Sequence, residues 1–173
     1  MIIVSNSGPL LSFARAGHFE LLHDVVGALT IPDAVYEDIV VSGAGKLGAH
    51  EVSQATWITR TQVNDRTFVD QLPQKLHLGE REALTLAKEH GGILLIDERE
   101  ARKAAQQHGI AHFGSLRVLE EAKARGLIPA VKPILDALIA TGTYISDSLY
   151  HALLRNVSEA EAAPTGSEQH EHP

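Results

Sequence analysis

The opening of the chain constrains the fold most. Met1 to Val4 are apolar and mostly β-branched, the composition of a strand buried on both faces. Ser5, Asn6, Ser7 and Gly8 break that run, and Pro9 fits the first turn of a following helix, with Ser7 or Gly8 near its N-cap. A buried strand that breaks into a polar turn and then a helix places the turn at the strand's carboxyl end. In open α/β sheets ligands bind at that edge. Asn6 is the side chain delivered there.

The rest of the chain continues the pattern. Helices are expected over Leu10–Ala16 and His18–Val26, a second strand over Ala28–Ile31, and a helix capped by Asp33 that carries Val35, Ile39 and Val40. Short elements follow: a helix over Glu51–Ala55, a strand over Trp57–Thr59 and a helix over Asp65–Leu72. The clearest unit is a helix from Glu80 ending at Gly91, a buried strand Ile93–Ile96, a helix Glu98–Gln107, a strand Ile110–Phe113 and a helix from Ser115 to Gly126. Strands alternating with helices at this spacing mean a mainly parallel sheet with helices packed on its faces. Pro129–Ala140 and Ser146–Arg155 add two more helices. Residues 158–173, rich in Ser, Glu, Ala, Pro, Gly and His, read as a disordered tail, which leaves one domain over residues 1–157.

Composition narrows the function classes. The 173 residues contain no cysteine, which excludes disulfides, thiolate zinc sites and cysteine nucleophiles. The formal charge of −7 argues against nonspecific nucleic-acid binding through bulk charge, while leaving room for a local basic patch. Aromatic residues make up only 5% of the chain, so stacking platforms for unpaired bases are few. There is no long apolar run, and Arg15 and Glu20 come too early for a signal peptide. A cytoplasmic protein is the expectation.

Three carboxylates share a placement with Asn6. Glu37 lies on the helix after the second strand, Glu80 opens a helix after Gly79, and Asp97 ends the buried strand Ile93–Ile96. Oxygen ligands clustered at one sheet edge suit a hard divalent cation such as Mg²⁺, which polarises a phosphodiester and activates water. Each residue also has a structural reading. Asp97 with Glu100 forms an Asp-x-x-Glu capping box, Glu80 complements a helix dipole, Glu37 sits on a solvated face, and Asn6 makes a turn.

Several stretches together resemble the PIN-domain family, in a bacterial and archaeal branch. They are Val4–Leu10, Ile31–Glu37, Leu78–Leu84, Leu94–Arg99 and Gly114–Leu119, with Gly126–Pro129 and Ile145–Ser146 fitting later in the chain. The resemblance implies a three-layer α/β/α sandwich and metal-dependent RNA cleavage. Its acidic site maps to Asn6, Glu37, Glu80 and Asp97, holding Mg²⁺ or Mn²⁺, with Glu82 as an alternative to Glu80. Many relatives are toxins of toxin–antitoxin pairs, so the resemblance also implies an RNA substrate, a cognate antitoxin and a homodimer. The chain departs from the pattern at Asn6, where the family commonly has Asp. Asn still offers a carbonyl oxygen but removes one negative charge. Arg99, Arg102 and Lys103 follow Asp97 at helical spacing, where they could hold RNA phosphates or form an ordinary solvated face. Ser7 and Ser115 could contact metal-bound water or phosphate, or serve as N-caps.

Two other signals are weak. Gly43 to Gly48 matches G-x-G-x-x-G but follows a helix rather than a strand, and Leu47 stands where a phosphate-binding loop needs Ser or Thr. His170 and His172 lie in the tail. A metal-dependent ribonuclease is therefore the leading reading. The alternatives are a catalytically weakened PIN-like module that binds RNA or protein, and a nucleotide-binding protein that uses the glycine-rich loop.

Overall fold

A computed structural model describes residues 1–160. Five parallel strands form one sheet, β1 (Ile3–Ser5), β2 (Leu29–Pro32), β3 (Ile58–Thr61), β4 (Ile93–Leu95) and β5 (His112–Phe113), in the order β3-β2-β1-β4-β5. The expected strands are all present. β1 is central, and its register with β4 pairs Ile3 with Ile93, Val4 with Leu94 and Ser5 with Leu95. The chain builds outward from β1 to β3, then returns across β1 to place β4 on its other side. The gap between β1 and β4 is therefore the topological switch point, where the loops leaving two neighbouring strands diverge and open a crevice.

Among the described residues, ten helices surround the sheet: α1 (Ser7–Arg15), α2 (Phe19–Val26), α3 (Asp33–Tyr36), α4 (Ala49–Gln54), α5 (Arg66–Gln71), α6 (Leu78–His90), α7 (Arg99–Gln107), α8 (Ser115–Ala124), α9 (Lys132–Ala140) and α10 (Asp147–Asn156). The buried residues divide into two clusters. Leu95 joins Leu10, Phe13, Leu22, Val118 and Leu135 in one. Val4, Leu94 and Ile96 join Phe68, Leu84 and Ala104 in the other. Leu94, Leu95 and Ile96 thus alternate between faces, as a strand buried on both sides must. The result is the α/β/α sandwich expected from the resemblance.

The helix after β2 differs from its expected form. Asp33 is its first residue rather than its cap, and the carboxylate bonds Arg60 Nε at 2.7 Å. After Tyr36 the helix widens into a π turn, Glu37–Val41, closed by Ser42 N–H donating to the Glu37 carbonyl at 2.8 Å. Such widened turns commonly occur at functional sites. The Gly43–Gly48 stretch that follows is a series of turns leaving a helix, which removes the strand that a dinucleotide fingerprint requires. The capping box expected between Asp97 and Glu100 does not form. Asp97 binds Ser115 instead, and Glu100 pairs with Lys75 at 2.6 Å.

Of the tail expected over residues 158–173, positions 161–173 lie outside the described residues. Glu159 is held in the domain: its carboxylate accepts from Val131 N, Lys132 N and Lys123 Nζ, closing the start of α9.

Glu82 ties α6 to α3. It is buried, accepts Ala34 N–H at 2.8 Å with one oxygen and pairs with Arg66 at 2.6 Å through the other. Glu82→Ala strands the Ala34 donor in the interior and should cost about 1–3 kcal/mol in chemical denaturation. Wild-type stability in that variant would show that the contact carries no weight.

Candidate functional site

Asn6 occupies the N-cap position of α1 in extended conformation, yet its side chain caps nothing. A capping hydrogen bond at such a position is typically worth about 1 kcal/mol. Asn6 instead turns toward the loop leaving β4, where its Nδ2 donates to Glu98 Oε2 at 3.0 Å. The residue is 3% exposed, and its Oδ1 is buried with no hydrogen-bond partner. A buried orphan carbonyl is costly. It is also an oxygen free to meet a cation.

Glu98 is the neighbour that sequence reasoning leaves as no more than a charge on a helix face. It sits at the N-cap of α7 and reaches across the switch point. Gly8 makes room for it: a Cβ there would lie 2.8 Å from Glu98 Oε1. Glu80 completes the group. It is 8% exposed, and its Oε2 accepts His77 N–H at 3.0 Å, capping α6. Burial pushes its carboxyl above the usual glutamate range. The His77 N–H opposes that shift, and the nearby Glu98 charge adds to it. Asn6, Glu80 and Glu98 are thus brought together at the carboxyl edge of β1 and β4.

The other expected ligands are placed differently. Asp97 makes no hydrogen bond to Asn6. Its oxygens accept Ser115 N–H at 2.8 Å and Ser115 Oγ–H at 2.6 Å, which fixes the start of α8, and Arg102 stands 3.8 Å away. Glu37 is half exposed and pairs with Arg60 at 3.0 Å. Its neighbour Asp38, also exposed, sets its carboxylate beside the start of α6, where a Cβ on Gly79 would lie 3.2 Å from Asp38 Oδ2. Burial raises the Asp38 carboxyl, with His77 opposing and Glu82 adding to the shift. Glu82 is committed to Ala34 and Arg66, so Glu80 is the glutamate of α6 that faces Glu98. No group of three His, Cys, Asp or Glu side chains is spaced to hold a metal among the described residues. Two carboxylates and one carbonyl nevertheless form an all-oxygen donor set, and Mg²⁺ commonly takes one or two carboxylates with water completing its shell. The residues fit a hard divalent cation.

A cleft of about 1000 Å³ opens beside this group. Gly8, Asp97 and Glu98 line its floor, and Arg15, Arg99, Arg102 and Lys103 line its wall. Arg102 is partly committed, since its Nε donates to the Ile96 carbonyl at 3.1 Å. Arg15, Arg99 and Lys103 form no ion pair among the described residues. Ser7 is the first residue of α1, and buried Ser115 is bound to Asp97.

A family model described as PIN domain matches residues 2–159. The chain belongs to the PIN-domain family, whose members carry a nuclease-type fold and generally use divalent metals. Among curated proteins, none matches it.

Because Glu80 binds its proton more tightly in the folded than in the unfolded chain, metal-free protein should lose stability as pH rises from the ordinary glutamate pKa, about 4.3, through the raised folded value. Glu80→Gln keeps an acceptor for His77 N–H and removes the charge. It should flatten that part of the profile and be more stable than wild type at neutral pH in EDTA. A parallel wild-type and variant profile by denaturant melting would contradict this account of the site.

Proposed function

We propose that the chain is a metal-dependent ribonuclease. The observation that carries the reading is the buried Asn6 Oδ1, unpartnered and set beside Glu80 and Glu98 at the switch point of the sheet. In this reading Asn6, Glu80 and Glu98 hold Mg²⁺ or Mn²⁺. When bound, that ion supplies Lewis-acid polarisation of the phosphodiester and a water of lowered pKa. Glu98 connects the buried group to the cleft. Asp97 acts as a positioning residue, holding Ser115 and the start of α8 against the end of β4. Arg99 and Lys103 receive substrate phosphates along the cleft wall. RNA rather than DNA rests on the family likeness.

The finer biological role rests on that likeness alone: the toxin of a toxin–antitoxin pair, acting in the cytoplasm as a homodimer and inhibited by a cognate antitoxin. No helix among the described residues is long and apolar enough to cross a membrane. A second reading, a weakened module that binds RNA or protein without cleaving it, is favoured by the Asn6–Glu98 hydrogen bond, which satisfies part of the site without a cation.

Cleavage of unstructured RNA in Mn²⁺ by wild type, Asn6→Asp, Glu98→Gln and Glu37→Gln separates the two. A nuclease should be active as wild type. Glu98→Gln should lose roughly a hundredfold or more, the scale of removing one preorganised electrostatic contact to the transition state. Glu37→Gln should cleave at close to the wild-type rate. Cleavage by Asn6→Asp alone would make the natural chain the binding module, and cleavage by none of the folded proteins would remove the nuclease reading.

A further inference from the structure

The cleft has a second feature that phosphate contacts do not explain. Tyr144 stands on its rim and is 90% exposed. Every other Phe, Tyr and Trp among the described residues is packed. Phe13, Phe19 and Phe68 are buried, Phe113 lies against the core, and Trp57 is stacked by His23 and touches Phe19. Tyr36 carries Arg60 over its ring, and the Tyr150 hydroxyl donates to Asp136. An exposed tyrosine on a loose loop would need no explanation, but this loop is fastened on both sides. Thr143 Oγ1 donates to Ser12 Oγ on α1 at 2.9 Å, and Thr143 N–H donates to the Leu138 carbonyl at 3.0 Å. Ser146 caps α10 by accepting Leu149 N–H. The backbone is anchored while the ring faces open cleft.

We propose that Tyr144 is a stacking platform for one unpaired base of an RNA strand, whose backbone runs along Arg99 and Lys103 toward Glu98; the identity of the strand as RNA rests on the ribonuclease reading. An aromatic face accepts any base, while neighbouring cations track the phosphates, the combination used for single strands. The requirement for an unpaired base follows directly. In a duplex each base is already stacked between neighbours, so its face is not free for an aromatic side chain.

The test measures binding of a short oligouridine, by fluorescence anisotropy in EDTA so that cleavage plays no part. A duplex RNA of matched length serves as control. Tyr144→Ala should weaken the single-strand complex by about tenfold, the scale of one lost base stack, and leave duplex binding unchanged. Tyr144→Phe should bind as wild type, since the ring and not the hydroxyl is used. Arg99→Ala and Lys103→Ala should instead make the salt dependence shallower. Equal affinity of Tyr144→Ala and wild type overturns the proposal, as does an equal loss on duplex. The outcome is independent of catalysis. A wild type that cleaves RNA in Mn²⁺ while Tyr144→Ala binds normally refutes the platform and spares the nuclease. Tyr144-dependent binding without cleavage does the reverse.

Discussion

Pairing β1 directly with β4 is the constraint on which the site depends. The register that sets Ser5 beside Leu95 makes Asn6 and Ile96 the next residues out of the sheet. The two chains then leave in different directions, β1 into α1 and β4 into α7. Only at such a divergence can a residue after one strand and a residue after the other share a pocket without competing for ladder hydrogen bonds. The Asn6–Glu98 contact joins positions 92 apart in sequence through this one pairing. Gly8 is the local concession that lets it close, since any Cβ there would push against the Glu98 carboxylate.

The N-terminus of α6 supplies the second organising field. Asp38, Glu80 and Glu82 all gather at its first turn, where the free N–H groups and the helix dipole favour negative charge. Their roles still diverge. Glu82 commits both oxygens to Ala34 and Arg66, so its charge is neutralised within the structure. Glu80 has only the His77 N–H and faces another carboxylate, so its charge is left in tension with its surroundings. Of two buried glutamates two residues apart, one is therefore tied through both oxygens and the other through one. Burial alone would not separate them; the partners do.

The sheet was legible because its strands are buried on both faces and bounded by Gly, Pro and polar turns, as in Ile93 to Ile96 after Gly91 and Gly92. The places of Asn6 and Glu80 were legible because each lies at a strand or helix boundary that the periodicity marks. The contact between Asn6 and Glu98 was not. β4 ends at Leu95, and beyond it neither strand alternation nor helical spacing governs where a side chain points. The decision is made by a partner 18 residues on, Ser115, which draws Asp97 away to the start of α8 and leaves Glu98 to face Asn6. Glu37 is engaged away from Asn6 for a related reason. Its partner Arg60 lies on β3, and the π turn sets the local phase of the helix, neither of which pattern reading supplies.

The asparagine at position 6 changes the electrostatics of the site more than its shape. An aspartate there would have no hydrogen to give Glu98. Two carboxylates in contact, with Glu80 nearby, would bring about three negative charges together at the edge of the cleft, a repulsion that a cation or a shared proton relieves. The amide removes that demand. It donates one hydrogen bond to Glu98, worth about 1.5–3 kcal/mol against a charged acceptor, and ties the turn after β1 to the start of α7. Glu80 and Glu98 then carry two charges, which one divalent ion balances. In the proposed site a cation would meet the unpartnered Asn6 Oδ1 with the Nδ2 bond to Glu98 kept, whereas in the Asn6→Asp variant it would relieve a repulsion. One nitrogen of Asn6 thus exchanges a carboxylate repulsion for a hydrogen bond at the switch point.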